Sequence, residues 1–170
     1  MSRIEPLVRI PVGVIVERRK ANSAWADYVW RPVAALPGVP DTEPWTALDG
    51  DAERMNFYGG SSEIALYRSD ATGYRDNLAT GAALLWVVLR PTGGEPPYRI
   101  AAVTAEPSEG EAFTESGTDL IETVPMPEPI RQNIAEFVAA HHVERQFVKR
   151  ERDRADPEAL ARHSPVKDRK

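Results

Sequence analysis

AALLWVVLRP (residues 82–91) is the most apolar run in the chain, and its reading decides the fold. A membrane-spanning helix needs about 20 apolar residues, and this run stops well short, at Arg90 and Pro91. Its residues suit a pleated surface. A short apolar run without alternation points to a strand covered on both faces. Residues 82–91 are therefore expected to form a central strand. TGGEPP (92–97) then turns the chain, and YRIAAVTAE (98–106) pairs back as a hairpin.

Toward the N-terminus, Val8, Ile10, Val12, Val14 and Val16 alternate with Arg9, Pro11, Gly13 and Glu17. A period of two with β-branched residues marks a half-buried strand. Pro11 cannot donate to a ladder, which places this strand at an edge over that stretch. YVWRPVAAL (28–36) is a second strand. WTALDGD and ERMNFYGG form a hairpin about Asp49-Gly50, YGGSSE (58–63) reads as a tight hairpin, and SSEIALYR (61–68) as the strand after it. SDATGYRDNLATG (69–81) reads as a loop with at most one helical turn, the acidic stretch after Glu106 as another loop, and TDLIETVPMP as the last strand.

Pro127 and Pro129 suit the first turn of a helix. Glu128 there, and Lys149 and Arg150 near the far end, complement the helix dipole. Asp156 before Pro157 requires the helix to be finished by then. The expected fold is α+β, mainly β: a single domain over residues 1–153, with one curved, mostly antiparallel sheet of six or seven strands and one long C-terminal helix. Residues 154–170, charged and without periodicity, are expected to be a disordered tail.

The chain has three histidines and no cysteine, which removes disulfides and thiolate chemistry. His141 and His142 are adjacent, so they face about 100° apart on a helix and do not chelate together. No metal and no cofactor is expected. On the helical wheel Ile130, Ile134, Phe137 and His141 share the buried face. Ala140, Val143 and Phe147 form a second apolar stripe, expected to meet a protein partner, a second copy of the chain being one candidate. The net charge of −5 and the absence of Lys and Arg between Arg99 and Arg131 oppose nucleic-acid binding. The acidic 106–128 segment is either solvated or a docking patch for a basic surface.

No nucleophile–base pair or phosphate loop is present, so no catalytic residue is assigned. Tyr74, Arg75, Asp76 and Asn77 offer varied hydrogen bonding between two glycines. They are either local caps and ion pairs or a ligand loop. Trp25, Tyr28 and Trp30 with Arg31 are either core or an exposed platform. The N-terminal apolar run is broken by Arg9 and Pro11 and lacks a secretory h-region, so a cytoplasmic location without membrane contact is expected.

PVGVIVERRKANSAWADYVWRPVAALPG, EIALYRSDATGYRDNLATGAALLWVVLRP and PMPEPIRQNIAEFVAAHHVERQFVKRERD together resemble a bacterial family, the domain of unknown function 3305. The likeness is overall and carries no residue signature. The resemblance implies proximity to molybdenum-dependent formate dehydrogenase and its assembly factors. Some members carry the label molybdenum cofactor guanylyltransferase, which this sequence does not support: the glycine-rich basic loop of that class is replaced by PVGVIVERRKANSAW. The expected function is a non-catalytic accessory protein that binds a molybdoenzyme or maturation factor. The alternative is a small-molecule binder or enzyme using residues 72–81 at the mouth of the sheet.

Overall fold

The computed structural model describes residues 4–142. In chain order the elements are β1 (Val8–Lys20), β2 (Tyr28–Pro37), β3 (Thr46–Gly50), β4 (Arg54–Leu66), α1 (Ala71–Ala79), β5 (Leu84–Pro91), β6 (Tyr98–Thr104), α2 (Pro107–Phe113), β7 (Leu120–Pro125) and α3 (Glu128–His141).

The strands form two antiparallel sheets, ordered β2-β1-β4-β3 and β6-β5-β7, and not the single curved sheet that the hairpin count suggests. Hairpin signals report which neighbours pair and say nothing of how successive hairpins join. Here β4 lies against β6 and β2 against β7, so the sheets face each other around one core in a barrel-like sandwich. Ile10, Val12, Val14 and Val16 of β1 meet Leu85, Val87 and Leu89 of β5 there. Fully burying each such side chain is worth about 1.5–3 kcal/mol. The run at 82–91 is central in its sheet, as its composition predicts: β6 and β7 flank β5, and Leu85, Val87, Val88 and Leu89 are buried.

Pro11 reconciles with an interior strand through register. β1 pairs with β4 from Val8 onward but with β2 only from Val12. Pro11 thus sits where the β2 side of the ladder has run out, and its carbonyl accepts from Gly38 N at 3.2 Å. YGGSSE is not a hairpin. β4 runs straight through it with a bulge between Tyr58 and Gly60, opposite Val14 and Ile15. Gly60 holds φ +122°, and a Cβ at Gly59 would come within 2.7 Å of Val16 Cγ2. The glycines here admit a bulge and a close approach, not a turn.

Two expected loops contain helices. Residues 71–79 form α1, whose buried residues are Ala71, Tyr74 and Asn77. The acidic stretch forms α2, with Pro107 in its first turn and the Glu106 carboxylate capping Glu109 N at 2.7 Å. A Cβ at Gly110 would overlap the Trp86 ring, so α2 lies directly on β5.

α3 opens at Pro127 as expected, and within the described residues it ends at His141, before the Lys149 and Arg150 expected near its far end. His142 is extended, at φ −77° and ψ 113°. Most helix stability comes from tertiary packing of one face. On α3 that face is Ile130, Ile134 and Phe137; Ala139 and Ala140 are exposed. The helix stops one turn after its last buried contact. No described helix is long and apolar enough to cross a membrane.

Candidate functional site

The two ends of the sandwich differ. At the start of β1, α1 and α3 cover the core: Tyr74 meets Phe137 edge-on at 5.9 Å, and Phe137 stacks on His141 at 4.6 Å. At the other end of β1, about 25–30 Å away at 3.4 Å per residue, the core opens into an aromatic cup.

β1 alternation past Val16 sends Arg18 to the inner face. Cross-strand pairing puts Trp30 of β2 opposite Arg18 and Phe57 of β4 opposite Val16. Trp30 is the hub, with its ring 5.7 Å from Phe57, 5.8 Å from Trp45 and 6.5 Å from Tyr98 of the other sheet. The cup holds about 450 Å³, and the turn residues Glu95, Pro96 and Pro97 close one side. Trp45 adopts φ +67°. A bulky residue in that region is strained by about 1–2 kcal/mol, and the contacts of its ring with Trp30 and Phe57 offset the cost.

The Arg18 guanidinium carbon lies 4.4 Å from the Tyr28 ring centroid, 5.2 Å from Phe57 and 5.9 Å from Trp30. These are cation–π distances. Among the described residues the Arg18 side chain makes no hydrogen bond and no ion pair; its polar end lies among the three rings. Around the cup, Tyr28 is 40% exposed, and Trp25 in the turn between β1 and β2 is 96% exposed.

The outer face of the same strands is different. Glu17, 6% exposed, is met by Arg31 at 3.2 Å, Arg19 at 3.5 Å and Arg54 at 3.6 Å. Arg31 is therefore held on the opposite face from Trp30. The aromatic platform read from Trp25, Tyr28, Trp30 and Arg31 divides accordingly: Tyr28 and Trp30 enter the cup, Trp25 is exposed in the turn before β2, and Arg31 turns away. The sequence reading missed Arg18, Trp45, Phe57 and Tyr98. Alternation from Val16 to Arg18 was the one signal that could have placed an arginine inside.

Residues 74–77 lie at the helix-covered end, on α1 and not on a loop. Tyr74 is buried; its hydroxyl accepts from Tyr67 N at 3.0 Å and faces Ala65 O at 3.4 Å. Burial pushes its pKa up. Asn77 donates to the carbonyls of Leu84 (2.8 Å) and Ala105 (2.9 Å) and accepts from Leu84 N (3.0 Å). Arg75 and Asp76 are on the exposed side, with Arg75 Nη1 at 3.4 Å from His142 Nε2. Of the helix stripe expected to meet a partner, Ala140 is exposed; Val143 and Phe147 lie outside the described residues.

Asp70 and Glu109 cluster near Glu106. Withdrawal from water raises the Asp70 pKa first, and Glu106 adds to it. Glu109 is likewise raised first by withdrawal from water, partly opposed by its bond from Thr104 at 3.0 Å, with Asp70 and Glu106 adding to the rise. Among the described residues no group of three His, Cys, Asp or Glu is placed to hold a metal ion.

No curated protein and no solved structure gives a significant match. Residues 11–151 match the family described as Protein of unknown function (DUF3305), a span that takes in strands of both sheets, the aromatic cup and the three described helices, and the chain belongs to that family.

Proposed function

We propose that this protein is a non-catalytic, cytoplasmic binding protein and that the aromatic cup is its working surface. One observation carries the reading. Arg18, Tyr28, Trp30 and Trp45 gather at the open end of the core, and Trp25 is exposed in the turn that leads into β2 and Tyr28. Aromatic residues and arginine are the types that dominate binding hot spots, because they give large rigid contact area at little entropic cost. Among the described residues the cup offers no histidine, no serine or threonine and no pair of carboxylates to perform a reaction. The partner we propose is a protein, and the family resemblance makes a molybdoenzyme such as formate dehydrogenase, or one of its maturation factors, the first to test.

The test is capture by the tagged full chain from cells growing on formate, comparing wild type with Trp25→Ala, Tyr28→Ala and a chain truncated after His142. Both aromatic side chains are exposed enough that the variants should melt like the wild type. Loss of the same partner from both, with folding intact, supports the cup. A partner retained by both and lost on truncation moves the interface to the end of α3, where Ala140, Val143 and Phe147 were expected to act. Self-association seen by sedimentation would make a second copy the partner. The volume of the cup favours one other reading, a small ligand, since about 300–1,000 Å³ is the usual range for such sites.

A further inference from the structure

We infer that Arg18 is the anion-recognition residue of the cup, and that what binds there carries one carboxylate beside an apolar or aromatic group. The inference rests on the cup being the binding surface and adds the chemistry that it selects.

A guanidinium carries five N–H donors in a planar fork. The other arginines of this end are committed: Arg19, Arg31 and Arg54 all meet Glu17 on the outer face. Arg18, half-buried on the inner face, meets three rings and, among the described residues, no carboxylate. Cation–π contact with the rings spends none of the guanidinium's N–H donors, and among the described residues no acceptor takes them. A half-buried arginine with its donors unspent is a matched site for an acceptor with two in-plane oxygens. The rings hold the fork in place, so little side-chain entropy remains to be lost when the acceptor arrives.

Charge selects a monoanion. Among the described residues the cup is lined by one cation, Arg18, and one carboxylate, Glu95, on a chain of net charge −5. A single guanidinium balances one negative charge, and Glu95 opposes a second. The remaining volume is walled by Trp30, Trp45, Phe57 and the proline pair, which accept a flat or apolar group. An aspartate, glutamate or terminal carboxylate next to an aromatic or proline side chain on a partner segment has this chemistry.

The probe pair is N-acetyltryptophan, which carries the carboxylate, and its amide, which has the same ring and no charge. Binding is followed by NMR through the indole N–H signals of the protein, which has four tryptophans. The wild type should bind the acid about tenfold more tightly than the amide, shifting Trp30 and Trp45, since a charge-assisted hydrogen bond is worth that much. In Arg18→Gln the preference should vanish while the amide binds as before. Arg18→Lys, keeping charge without the fork, should retain a smaller preference and serves if Arg18→Gln fails to fold. Equal affinity for acid and amide, with Trp30 and Trp45 still shifting, overturns the inference and leaves the cup as a binding surface. Absence of any shift overturns the inference too; whether the cup reading then falls is decided separately, by partner capture with Trp25→Ala and Tyr28→Ala.

Discussion

Asn77 is 4% exposed, and its amide ties α1 to the first residue of β5 and to the residue just after β6. Asn77→Ala leaves two carbonyls and one N–H without that partner. At a net ~1 kcal/mol for each bond the loss is about 3 kcal/mol. That is a large part of the ~5–15 kcal/mol by which a domain is stable, and it lowers Tm by roughly 6–12 °C at this chain length. Urea unfolding followed by two probes reads it, with Asp76→Ala on the exposed side as the control, expected within about 0.5 kcal/mol of wild type. Asn77→Asp sharpens the test, because it aims a carboxylate at two carbonyl oxygens. That arrangement raises the pKa of the introduced carboxyl in the folded state. The variant's deficit is therefore smallest below the unfolded value of about 3.9 and grows as pH rises toward neutral. If Asn77→Ala stays within about 1 kcal/mol of wild type, or Asn77→Asp matches wild type at neutral pH, the amide does not serve the backbone. Asn77 then returns to the candidate ligand set with Tyr74, Arg75 and Asp76.

Gly110→Ala should cost ~1–3 kcal/mol, because its methyl overlaps the Trp86 ring beneath α2; an unchanged urea midpoint would mean that α2 can lift off β5 freely. Ile134→Ala, at a fully buried position on α3, should cost ~2–5 kcal/mol. Phe147→Ala, beyond the end of the described helix, should leave Tm near wild type, and an equal loss from both would place Phe147 in the core. The Glu109 pKa is raised in the folded state, so the folded chain takes up a proton that the unfolded chain does not. Stability should therefore fall as pH rises from the ordinary carboxylate range toward neutral. Glu109→Gln should flatten that slope in urea titrations across pH, and an unchanged slope sinks the assignment.

Strands announced themselves where one side chain in two had to be apolar. Val12, Val14 and Val16 are fully buried, and the 82–91 run is the centre of its sheet, both as periodicity and composition require. Helices were legible only where an apolar stripe drove them. α3 shows such a stripe at Ile130, Ile134 and Phe137, and its start was read correctly from two prolines. Its end was not, because residues 138–152 contain no breaker. The stop follows from where burial ends, one turn after Phe137, which is a tertiary fact. α1 has no apolar stripe to read: two of its three buried positions are Tyr74 and Asn77, polar groups consumed by backbone partners. A polar residue that caps a neighbouring strand and one that awaits a ligand look the same in sequence, and burial separates them.

The cup was illegible for a related reason. Its walls come from β1, β2, β4 and β6, with Trp45 just before β3, and no two of its aromatic rings sit closer in sequence than Tyr28 and Trp30. Sequence could show aromatics and arginines; it could not show that Glu17 gathers Arg19, Arg31 and Arg54 on one face while Arg18, their neighbour, turns to the other. That division matters physically. Four arginines beside one buried carboxylate would make a diffuse basic patch on an acidic chain. Three on Glu17 and one among rings make an ion-pair network on the outside and a single directed cation within. A diffuse patch would weaken evenly with each arginine removed. A directed cation predicts that Arg18 alone sets charge preference in the cup, while Arg31→Gln, on the other face, alters stability and leaves that preference unchanged.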